Sequence, residues 1–123
     1  MDRDLKIRTK KFSLEIIDLV ESMDYSIAKK AVINQLVRSG TSVGANYRAA
    51  LRARSDKEYI AKINIVLEEA DESVFWLEII QDKKWHNVEN LLKEADELTA
   101  IFVTILKKMN AKLTTPPSPT SNF

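Results

Sequence analysis

Arg38-Ser39-Gly40-Thr41-Ser42-Val43-Gly44-Ala45-Asn46-Tyr47-Arg48 decides how this chain is read. It holds both glycines of the protein, a run of small residues and an arginine at each end. The flanks are helical in pattern, with Ala31, Val32 and Leu36 before it and Tyr47, Ala50 and Leu51 after it. A glycine costs about 1 kcal/mol relative to alanine inside a helix, so two in one helix require a reason. Ser39/Gly40, Val43/Gly44 and Tyr47 recur at helical spacing and mark a face that a neighbouring backbone can approach closely. The rival reading is a loop at Gly40-Thr41-Ser42 that breaks one long helix into two. The apolar period keeps its phase across the glycines and no proline intervenes, which favours the continuous helix.

Outward from this stretch, Ser26 is a good N-cap, so the second helix is expected from Ser26 to about Ala53. Ser55-Asp56-Lys57-Glu58 is a capping box that starts a third helix, expected to reach Asp82. Ile60, Ile63, Leu67, Ala70, Val74 and Leu77 form its main stripe, widened by Ile65, Val66, Trp76, Ile79 and Ile80. Before the central stretch, Leu5, Phe12, Ile16, Leu19 and Met23 give a first helix from about Asp4 to Met23, with Leu14, Ile17 and Val20 flanking the stripe. At the other end, Asn87 can cap a fourth helix that runs to about Lys112. Residues 114–123, rich in proline, serine and threonine, are expected to form a disordered tail. Four amphipathic helices joined by short turns predict an all-α, up-down-up-down four-helix bundle over residues 1–113. Its first, third and fourth helices carry more apolar surface than one bundle seam needs, which predicts a homo-oligomer.

Composition bounds the chemistry. The 123 residues suffice for one domain with a real core. With 19 basic and 18 acidic side chains the net charge is +1, so attraction to nucleic acid has to come from local segregation of charge. Segregation is present: from Ser26 to Ser55 there are six cations and no carboxylate, whereas Glu68, Glu69, Asp71, Glu72 and Glu78 crowd the third helix. The absence of cysteine excludes disulfides, thiolate metal sites and cysteine nucleophiles, and is compatible with a reducing cytoplasm. No apolar run approaches the roughly 18 residues of a membrane span. A cytoplasmic protein without a membrane partner is expected.

No catalytic constellation emerges, and neither a metal nor a cofactor is expected. His86 is the one histidine and sits in a turn, so the paired Glu-x-x-His motifs of a carboxylate-bridged di-metal bundle cannot be built. Gly40-Thr41-Ser42-Val43-Gly44 lacks the lysine of a phosphate loop and follows a helix rather than a strand. Ser26-Ile27-Ala28-Lys29 has serine–lysine spacing with no companion motif.

The arginines carry more information. A hairpin centred near residue 55 sets Gly40 against Ala70, Gly44 against Val66 or Leu67, and Arg38 against Glu72 or Ser73. Arg38, Gly40, Gly44 and Asn46 with Glu69 and Glu72 are then a structural network that specifies register. Arg48, Arg52 and Arg54, with Lys29, Lys30 and the first-helix cluster Lys6, Arg8, Lys10 and Lys11, are either solvated or a basic strip for phosphate contacts.

The run Gln35 to Ala50 resembles the signature of bacterial four-helix-bundle proteins whose founding members are encoded by intervening sequences within large-subunit ribosomal RNA genes. Ser55-Asp56-Lys57-Glu58-Tyr59-Ile60-Ala61-Lys62 and the run Glu68 to Glu78 fit the third helix of that family, and the likeness spans roughly residues 5–112. Members often have Glu where this chain has Ala49. The resemblance implies a four-helix bundle assembled as a homopentamer. A related branch serves as accessory protein of diversity-generating retroelements, where a basic pentamer binds the reverse transcriptase and nucleic acid. Two function classes follow: a non-enzymatic accessory module that binds RNA or DNA, or a structural module that binds a protein partner.

Overall fold

The computed structural model describes residues 2–114, with side chains from Asp4 onward. The tail expected to be disordered lies outside the described residues, except Thr114, which ends the last helix instead of opening the tail. Four helices follow in order: α1 (Asp2–Glu21), α2 (Ile27–Ala50), α3 (Asp56–Asp82) and α4 (Glu89–Thr114). They pack as α1–α2, α2–α3, α3–α4 and, more lightly, α1–α4, with no contact across either diagonal at backbone level among the described residues. This is the up-down-up-down bundle expected from the periodicity.

Local chemistry sets the helix ends. The Ser26 hydroxyl accepts from the Lys29 N–H at 3.1 Å, and the Ser55 hydroxyl from the Glu58 N–H at 3.1 Å. Glu58 reaches back one residue further than a capping box requires, accepting from the Arg54 N–H at 3.3 Å. Asn87 Oδ1 accepts from the Glu89 N–H at 3.1 Å. Two helices stop earlier than the periodicity suggested. After Glu21 and after Ala50 the chain tightens into three-residue hydrogen bonds, such as Met23 N–H to Val20 and Ala53 N–H to Ala50. Lys84, at φ 58°, turns the chain out of α3, and the Trp85 N–H then bonds the Ile80 carbonyl at 3.0 Å.

The central stretch is one unbroken helix, and neither glycine has a positive φ. Both serve close approach rather than turning. Their partner, however, is α1 and not α3. A Cβ on Gly44 would stand 3.3 Å from the Thr9 carbonyl oxygen, and one on Gly40 would collide with the Ile16 side chain. Ser13 on α1 donates to the Gly40 carbonyl at 3.3 Å. The hairpin register was correct, since the Ser39 and Ser73 hydroxyls meet at 2.9 Å between α2 and α3. Successive helix positions are turned by about 100°, so Ser39 faces α3 while Gly40 has swung toward α1.

The core is closed by Phe12, Ile16, Leu36, Val43, Ile63, Leu77, Leu98 and Phe102, all fully buried. Tyr47 crosses the bundle centre and meets the Phe102 ring at 5.6 Å between centroids. Buried Thr9, Ser39 and Ser73 each have hydrogen-bond partners. No buried side-chain N or O among the described residues lacks one.

This geometry separates two neighbouring positions sharply. Gly44→Leu should overpack the α1–α2 seam and lower stability by about 1–3 kcal/mol. Ala45→Leu, one residue on and exposed, should stay within about 0.5 kcal/mol of wild type. Denaturant unfolding of the three proteins checks the contrast, and equal midpoints would contradict the α1 contact.

Candidate nucleic-acid interface

The residues expected to act together divide into an ion-pair network and two separate basic groups. Arg38, on the α2 surface, donates to Glu69 of α3 at 2.9 Å and to Glu72, while its Nε bonds Gln35 at 3.2 Å. Glu72 also accepts from the Trp76 indole at 2.9 Å. That indole holds the Glu72 carboxyl below its ordinary value of 4.5, with Arg38 pulling in the same direction against partial burial. The network is wetter than expected, because the Arg38 side chain is 47% exposed even though that of Glu69 is only 15% exposed. Asn46 stays outside it, donating to the Ser42 carbonyl of its own helix at 2.9 Å. Gly40 and Gly44 are outside it too, since both face α1.

Sequence reasoning missed a second network. Arg8 of α1 makes a two-pronged contact with Glu94 of α4 through Nε and Nη2, both at 2.7 Å, and reaches Glu97 at 2.7 Å. The Glu94 hydrogen bond, then its charge and that of Glu97, raise the guanidinium pKa against some desolvation. Arg8 therefore leaves the first-helix basic cluster and ties the lightly packed α1–α4 seam. Only the three-residue spacing of Glu94 and Glu97 could have hinted at a shared partner.

The remaining cations fall at opposite ends of the bundle. Lys29 and Lys30 open α2, and the Lys29 ammonium lies 5.8 Å from the centre of the Trp85 ring. Arg48 and Arg52 lie near the other end, roughly 28 Å away at 1.5 Å per residue. Arg54 follows in the turn before α3. The five residues therefore do not form one strip. The antiparallel approach of α1 places Lys6 and Lys10 beside Arg48 instead. Lys6, Ile7, Lys10 and Arg48 line a shallow groove of about 400 Å³, adjoined by one of about 310 Å³ between Ala45, Arg48, Ala49 and Arg52. Among the described residues no ion pair engages Lys6, Lys10, Arg48 or Arg52. Elsewhere among these residues, no group of three or more His, Asp or Glu is arranged to hold a metal, and no helix is long and apolar enough to cross a membrane.

The profile of the 23S rRNA-intervening sequence protein family matches residues 2–105. The chain belongs to this family. Its fold is shared by a solved structure from Bacteroides thetaiotaomicron, described as a protein of unknown function from the S23 ribosomal protein family. The two chains are 31% identical, with a TM-score of 0.77, and the match covers 86% of this chain and 97% of the other. No curated protein matches. The family likeness read from the central stretch and from α3 therefore holds, and with it the four-helix bundle.

The Glu72 contacts set a pH dependence. Its folded pKa is the lower one, so the contribution to stability is present above the ordinary value of 4.5 and lost as pH falls through the depressed folded value. Trp76→Phe removes the leading cause of the shift and should flatten that acid-side loss. Denaturation curves of both proteins at neutral pH and below pH 4.5 test it; parallel losses would refute the role given to the indole.

Proposed function

We propose that this protein is a non-enzymatic, cytoplasmic accessory module for nucleic acid or a ribonucleoprotein, acting as a homo-oligomer, with a pentamer the expected state. The carrying observation is the convergence of Lys6, Arg48 and Arg52, with Lys10 at the edge, on two adjoining grooves that share Arg48, with no ion pair to any of them among the described residues. Unpaired cations on two adjoining helices suit phosphate oxygens, which need several positive charges in line rather than a chemical constellation. The belonging of the chain to a family named for ribosomal RNA intervening sequences supports RNA as the first substrate to try. Repetition of the groove around an oligomer would raise affinity through multivalency without new contacts.

Arg48, Arg52 and Arg54 are exposed, so replacing all three by Ala should leave the melting temperature nearly unchanged. Binding to a structured RNA should weaken, and the slope of log affinity against log salt should flatten by about one for each phosphate no longer neutralised. Lys29→Ala with Lys30→Ala, at the far end, should change neither quantity. A salt titration of the three proteins decides it. Equal affinity and slope for wild type and the triple variant would leave a module for a protein partner as the better reading.

A further inference from the structure

The largest feature left unused is an apolar stripe on the outside of α1. Ile7 is 58% exposed, Leu14 52% and Ile17 36%, and seven- and three-residue spacing puts them on one face with Lys10 between. A matching stripe lies outside α3, where Phe75 is 53% exposed and Ile65 37%. Glu68 is exposed between those two. Isolated exposed apolar residues are ordinary, but two registered stripes on diagonal helices are not.

We infer that the α1 stripe of one copy docks on the α3 stripe of the next copy, in parallel register, through a heterologous contact. This rests on the homo-oligomer reading and names the surface that reading needs. In an up-down-up-down bundle α1 and α3 run the same way, so copies related by an axis along the bundle bring these helices together in parallel. One offset then serves the whole stripe: Ile7 meets Ile65, Lys10 meets Glu68, and Ile17 meets Phe75. Leu14 meets the stem of Glu72, whose carboxylate is already held by Arg38 and Trp76. The charges agree as well, with Lys6, Lys10 and Lys11 in the first half of α1 facing the acidic middle of α3. Because α1 and α3 stand on opposite corners of the bundle, with no backbone approach between them among the described residues, each copy offers one stripe to either neighbour, which permits a ring. Lys10 then serves the neighbour, and phosphate is left to Lys6, Arg48 and Arg52.

The test is a reciprocal charge swap read as mass by light scattering, with thermal melts to show that each variant folds. Lys10→Glu alone and Glu68→Lys alone should each shift the mass toward the single chain. The double variant should restore the wild-type mass. Phe75→Ser, which removes an exposed ring, should dissociate the assembly while the chain stays folded. A wild type already at single-chain mass would sink the homo-oligomer reading and this contact with it. An oligomeric wild type whose mass survives all these changes would overturn the contact alone. Rescue of Lys10→Glu by Asp18→Lys rather than Glu68→Lys would also overturn it, because the stripe would then face a second α1.

Discussion

The close approach of α1 and α2 governs the rest of this molecule. At Gly44 the two backbones come near enough that a methyl group would press on the Thr9 carbonyl oxygen at 3.3 Å. At Gly40 the Ile16 side chain fills the space a Cβ would need, and Ser13 bonds the carbonyl. Dispersion falls steeply with distance, so small residues at such a crossing gain packing that larger ones would forfeit. The approach also has an external consequence. It settles which residues of α1 remain outside and which cations of α1 stand next to Arg48.

Polar contacts hold two of the other seams in register. Ser39 and Ser73 join inside the α2–α3 seam, and Arg38 with Glu69 and Glu72 clasps its edge. Arg8 does the corresponding work between α1 and α4. Exposed ion pairs contribute about 0–1 kcal/mol each, so they are better seen as specifying alignment than as supplying stability. Stability comes from the buried core, in which Tyr47 and Phe102 meet across the bundle.

Charge is the second organising feature. The near-zero total hides a basic α2, an acidic α3, and an α1 that is basic in its first half. Ion pairs within the chain use Arg8 and Arg38 but leave Lys6, Lys10, Arg48 and Arg52 without one among the described residues. Among the described residues, then, unpaired cations lie on one side of the bundle and Glu68, with no ion pair, on another.

The helices, their order and their caps were legible from sequence alone, because periodicity, Ser26 and Ser55 act over neighbouring residues. The α2–α3 register was legible too, since a short hairpin ties partners to a common centre. Even the continuity of α2 through Gly40 and Gly44 could be read from an unbroken apolar phase. Which helix those glycines touch could not. That depends on a one-residue rotation, about 100°, and on how two helices distant in sequence share the faces of α2. The same reason conceals the Arg8–Glu94 pair and sets Lys6 and Lys10, not Lys29 and Lys30, beside Arg48. Spacing along the chain determined what each helix could present; only the packing of helices in space decided which of those groups meet.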